Sequence, residues 1–188
     1  YVKRQKGEAR FPLPPKGGSL QRVKFMSPAF LRAFDLTIGK EGGYSDDPDD
    51  RGGETKFGIS KRSYPEENIK GLTILRAQQI YYDDFWLPLW LDEVLSSSIA
   101  AEIFDTAVNA GKTRAVEIAQ RALNDLGTKV AVDGKMGSET VGAINAYQYE
   151  DALLKTLNGL QFMHYYNFIR SDPSQAKYAR GWLKRIEV

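Results

Sequence analysis

Residues 40–60, KEGGYSDDPDDRGGETKFGIS, crowd carboxylates and turn formers into one short stretch. Glu41 falls at the end of a helix that the spacing predicts over 28–41. There the macrodipole and the unpaired carbonyls disfavour negative charge and raise the pKa of a carboxyl, more so if Tyr44 helps to exclude water. A carboxyl protonated at neutral pH is what a general acid requires. Asp46, Asp47, Asp49 and Asp50 lie in the turn-rich segment beyond, where solvent and backbone N–H groups keep a carboxylate ionised. Two carboxyls in contrasting environments are the working pair of a glycoside hydrolase. The rival chemistry for four aspartates is a calcium loop, but the alternating acidic ligands, central glycine and terminal glutamate of such a loop are missing. On spacing alone, a solvated helix end followed by an Asp-rich turn is the ordinary reading.

The elements that must hold these residues are mostly helical. Ser27 and Pro28 form a cap and first-turn pair, and Phe30, Leu31, Phe34 and Ile38 follow at helical intervals, with Gly42 and Gly43 expected to end the helix. Residues 44–60 read as a small hairpin or irregular sheet. Thr73 is expected to cap ILRAQQIYYDDFW, and Ser96–Ser98 to precede IAAEIFDTAVNAG, which Gly111 stops. RAVEIAQRALNDLG opens at Thr113 and closes at Gly127; VDGKMGSETVGAIN is a turn and a short helix capped by Ser138; two helices over 149–170 and 174–187 complete the chain. The expected fold is therefore mainly α, with a small β-hairpin near the N-terminus.

Composition narrows the functions. With 42% hydrophobic residues, 188 residues suffice for one core with at most a small appended lobe. No apolar run approaches the roughly 20 residues that span a bilayer, and the N-terminus lacks the apolar centre of a secretory signal. Cysteine is absent and His164 is the one histidine, which removes thiolate nucleophiles and makes histidine triads and zinc sites unlikely choices; no metal and no cofactor are expected. Residues 1–26 hold seven Lys/Arg against one Glu, whereas the rest carries 19 basic and 23 acidic side chains. The basic pI thus belongs to a leader that reads as a flexible arm ahead of a native start at Met26, and the acidic body argues against nucleic acid.

EGGYSDDPDDRGGETKFGI closely resembles the signature of glycoside hydrolase family 108, lysozyme-like muramidases of bacteria and phages also known as secretion activators. The resemblance continues through LTILRAQQIYYDDFWLPLW, IFDTAVNAGKTRAVEIAQRAL and VDGKMGSETVGAIN, the last within that family's peptidoglycan-binding region, and spans about residues 27–187. It implies a lysozyme-like catalytic portion over 27–110, a helical peptidoglycan-binding portion over 111–188 packed on it, and a leader over 1–26 outside both. It also implies cleavage of the β-1,4 bond between N-acetylmuramic acid and N-acetylglucosamine by a monomer that acts on the cell wall. The family's proton donor, the Glu of EGGY, corresponds to Glu41. Phage-type lysozymes follow their Glu with an Asp after eight residues and a Thr after five more; Asp50 reproduces the first gap, and Thr55 falls one residue short of the second, with Asp49 the alternative carboxylate. A non-catalytic wall-binding adaptor and a lytic transglycosylase are the competing functions.

Other residues admit two uses. Tyr44 either lines the cleft or packs over the helix end. Asp105 and Asn109, spaced i, i+4, share a helical face and are candidate substrate-binding residues; Asp105 leans towards tying down backbone and Asn109 towards the cleft. YYDDFW and Trp90 offer stacking surfaces for sugars, but that helical spacing more often means core. Phe57, Ile59 and a hydrogen-bonded His164 read as core.

Overall fold

The computed structural model describes residues 25–39, 43–46, 53–183 and 186. Seven α-helices run in these residues: α1 (Pro28–Thr37), α2 (Ile74–Tyr81), α3 (Ser97–Ala110), α4 (Lys112–Asp125), α5 (Ser138–Ala146), α6 (Glu150–Ser171) and α7 (Ala176–Leu183). A single small antiparallel sheet is present among them, β1 (Thr55–Lys56) against β2 (Ile59–Ser60), with Thr55 opposite Ser60. The fold is mainly α and lysozyme-like. No described helix is long and apolar enough to cross a membrane.

Local chemistry sets the helix starts. Ser27, Thr73 and Ser96 each accept a hydrogen bond from the backbone N–H three residues on, satisfying an otherwise orphaned donor at α1, α2 and α3. The end of α1 differs from expectation: it closes at Thr37, and Gly39, at φ 73°, takes the left-handed position assigned to Gly42 and Gly43. Gly39 is the first residue free of a Cβ after the apolar repeat, so the helix terminates there. Glu41 consequently follows the helix by four positions. Ser138 is likewise the first residue of α5, with Gly137 as its cap, and α4 begins at Lys112 with Gly111 shared between two helices. At the C-terminal end, Asp172 caps a 3₁₀ turn, Pro173–Gln175, so α7 starts later than the sequence suggests.

After α2 the chain widens into one π turn, Tyr82–Trp86, closed by Leu87 N–H donating to Tyr82 O at 2.9 Å. The extra residue rephases the helix, so that Tyr81, Tyr82 and Trp86 all reach the core. Phe30 of α1 meets Tyr82, Trp86 and Phe104 edge-on at 5.0, 5.4 and 5.8 Å, a geometry that adds about 0.5–1.5 kcal/mol per pair beyond burial. The core reading of YYDDFW is thus right for Tyr81, Tyr82 and Trp86. Ile59 is buried as expected, but Phe57 is only half-buried and left-handed at φ 52°. α3 is the central helix and packs on α1, α4 and α6.

Candidate functional site

The expected acid and its partners, Glu41, Asp49 and Asp50, lie outside the described residues, as do Gly42, Asp47 and Gly52. The walls on either side are described. Thr37, Ile38 and Gly39, where α1 ends, border a cavity of about 480 Å³ whose far side is formed by Glu102 and Asp105 of α3 and by Asn158 of α6. Both carboxylates are 9% exposed. Their i, i+3 spacing on α3 places them on one face, and the face is polar because it borders this cavity instead of the apolar core.

Asp105 also does structural work. Its Oδ2 accepts from Gln161 Nε2 at 3.1 Å, and the same amide donates to Thr106 Oγ1 at 3.0 Å, a fully buried tie between α3 and α6. Asn109 turns its amide back on the helix and donates to Asp105 O at 2.8 Å.

Tyr44 and Thr55 belong to one ladder. Ser45 and Thr55 exchange backbone hydrogen bonds of 2.8 Å, which sets Thr55 between Ser45 and Ser60. The Thr55 hydroxyl donates to Gly53 O at 3.2 Å, and Gly53 adopts φ 68°, the turn geometry expected of it. Tyr44 OH donates to Glu54 Oε1 at 2.9 Å, while Lys70 Nζ lies 5.9 Å from the centre of its ring. The hydrogen bond to Glu54 is the main reason that the phenol is pushed up to about 12, so Tyr44 stays neutral and a donor throughout the usual pH range. The tip of the hairpin, Gly58 and Ile59, borders a second cavity of about 390 Å³ with Tyr64, Asp84 and Val108. Tyr64 OH donates to Asp84 Oδ2 at 2.7 Å there.

Two acids escaped the sequence reading. Glu102 precedes Asp105 by three residues in EIFD, a same-face spacing that could have flagged it; Glu54 sits inside the signature stretch, but only its aspartates invited pairing with Glu41. His164 is half-buried beside Lys112 and Arg114 at the start of α4, instead of in the core, and burial followed by the Arg114 charge lowers its pKa.

Residues 34–111 match the family model described as Glycosyl hydrolase 108, and residues 114–187 match that of a Predicted Peptidoglycan domain. Among curated proteins none matches the chain. Among solved structures the chain is similar to that of Brucella abortus SagA, with a TM-score of 0.65 and 25% sequence identity, over 84% of this chain and 88% of that one. The two matches, which adjoin and together take in most of the chain, support a lysozyme-like protein that acts on peptidoglycan, with a segment similar to the glycosyl hydrolase 108 family followed by one similar to a peptidoglycan domain.

Proposed function

We propose that the protein is a muramidase that hydrolyses the β-1,4 bond between N-acetylmuramic acid and N-acetylglucosamine, with Glu41 as its general acid. The observation that carries this reading is the cavity at the end of α1: Gly39, two positions before Glu41, shares its wall with the largely buried acids Glu102 and Asp105. With the Glu41 carboxyl seated in this cavity, as proposed, negative charge would favour its protonated form. This supports a source of proton retention other than the helix end, because the influence of the macrodipole fades within the last turn and Glu41 lies beyond it.

In this reading Glu41 protonates the departing glycosidic oxygen, while Asp50, or Asp49 in its place, stabilises the oxocarbenium-like transition state and orients a water. Thr55 would hydrogen-bond that water in place of its bond to Gly53 O, and Tyr44, Asp105 and Asn109 would hold the sugars. Residues 27–110 form the catalytic portion and 111–188 the wall-binding portion. A water between sugar and carboxylate inverts the anomeric centre, which requires carboxyls roughly 6.5–9.5 Å apart. The protein acts on the cell wall, outside the cytoplasmic membrane.

Replacing Glu41 with Gln tests the assignment. Clearing of purified peptidoglycan falls by about 10²–10⁴-fold, the contribution of a positioned proton donor, with the near-UV circular dichroism unchanged. Substantial residual activity in a folded Glu41→Gln protein places the acid elsewhere.

A further inference from the structure

A cavity of about 580 Å³ lies between the 87–93 segment and α5, walled by Leu87, Trp90, Leu91, Glu93, Ser138 and Val141. Its first wall falls within the segment matched by the glycosyl hydrolase model and its second within the peptidoglycan-domain match. Trp90 stands at its mouth, 47% exposed and left-handed at φ 51°, ψ 33°. A bulky residue keeps that conformation only where its surroundings fix it.

The surroundings are fixed. Trp90 N–H donates to Leu87 O and Glu93 N–H to Trp90 O, each at 3.0 Å. Asn145 clamps the two walls together: its Nδ2 donates to Glu93 O at 2.7 Å and its Oδ1 accepts from Leu95 N–H at 2.9 Å. Asp92 is held by Ser27, Tyr82 and Trp86. The walls are therefore set in advance, and an indole face is left in water between two carboxylates, a serine and an apolar floor. Among the described residues, no cationic side chain lines the cavity. Negative charge rejects phosphate or carboxylate ligands, whereas a pyranose offers a C–H face for the indole and hydroxyl donors for Glu93 and Ser138.

We propose that this cavity is a second glycan site, which seats a neutral N-acetylhexosamine ring of the peptidoglycan strand on Trp90. Through Asp92 it adjoins Ser27 at the start of α1, the end opposite the cavity bordered by Gly39. The inference rests on the reading that the substrate is a cell-wall glycan.

The test uses the full chain carrying Glu41→Gln, titrated with tri-N-acetylchitotriose and followed through the indole N–H resonance of Trp90, assigned by its loss in Trp90→Gly. The resonance moves and saturates. A Cβ at Gly142, another lining residue, meets nothing within 4 Å, so Gly142→Ala keeps the response and Gly142→Phe, which fills the cavity, weakens it at least tenfold. Trp90→Gly relieves the left-handed strain and, by calorimetry, loses this binding step. No movement at millimolar sugar, or an unchanged response in Gly142→Phe, overturns the site. Full hydrolysis by Glu41→Gln with the Trp90 response intact overturns the catalytic assignment instead.

Discussion

Asp92 shows how one carboxylate joins three parts of the chain. It accepts from Ser27 Oγ at 2.6 Å, Tyr82 OH at 2.6 Å and Trp86 Nε1 at 2.7 Å, linking the cap of α1, the π turn and the 3₁₀ turn Leu91–Glu93. Burial pushes its pKa up, but the three hydrogen bonds outweigh burial and hold it below the usual carboxylate value. A carboxyl with a lower pKa folded than unfolded stabilises the protein above the unfolded pKa, about 3.9, and that stabilisation disappears as pH falls through the folded value. Asp92→Asn is expected to lower stability at neutral pH by about 1–3 kcal/mol, because the donors of Tyr82 and Trp86 are held in the core. Chemical denaturation of both proteins across pH measures it: the gap narrows below about pH 4, and a gap constant with pH contradicts the charge-based account. None of this was visible in LPLWLDEV, since two of the three partners meet Asp92 only after the π turn has formed and the third is 65 residues away in sequence.

At the scale of elements, the VDGKMG turn is organised from α4. Gln120, 1% exposed, accepts from the backbone N–H groups of Asp133 and Gly134 at 3.0 Å each and donates to Asp133 Oδ1 at 2.8 Å and Thr140 Oγ1 at 3.2 Å. Gln120→Leu removes all of these hydrogen bonds and takes this partner from the buried Thr140 hydroxyl, so thermal denaturation shows a clear loss of stability; an unchanged melting temperature refutes the role. Gly134→Ala meets a separate obstacle, since φ is 68° and a Cβ lies 2.6 Å from Thr113 Cγ2 and 3.3 Å from Thr113 O. It too should destabilise, and a neutral result would show that the turn rearranges freely. The elements themselves were largely legible. Ser27 and Thr73 cap where expected, and Ser96 caps from within the serine run expected to precede α3, because capping is decided within four residues of chain. Endings were harder: three glycines follow α1 within six residues, and propensity alone does not say that Gly39, ahead of Gly42 and Gly43, takes the left-handed position. The π turn was hidden for a related reason, as it exists to bring Tyr81, Tyr82 and Trp86 onto a core supplied by α1 and α3. Likewise Glu102 and Glu54 gain meaning only from the α1–α3–α6 cavity and from the ladder that brings Tyr44 to Glu54.

For the whole molecule, the segments matched by the two family models share one core. Ile99, Ile103 and Phe104 of α3 belong to the same buried cluster as Val116 and Leu123 of α4 and Leu153 and Leu157 of α6. Polar ties cross the same boundary: Gln161 to Asp105, Asn145 to Glu93, and Ser96 Oγ to Glu150 Oε1 at 2.6 Å. The two segments should unfold in one transition, with far-UV dichroism and tryptophan fluorescence coincident; two separated transitions would show independent domains. Such a single body suits the proposed function, because positioning catalysis requires fixed relations among the groups that hold a substrate. The central claim, that Glu41 drives hydrolysis of the muramic acid to glucosamine bond, is tested most directly by mass spectrometry of the fragments released from purified peptidoglycan. Wild type is expected to give muropeptides with a reducing N-acetylmuramic acid end and one added water per cut, and Glu41→Gln none. A 1,6-anhydro end with no added water, a reducing N-acetylglucosamine end, or the same products from Glu41→Gln would contradict it.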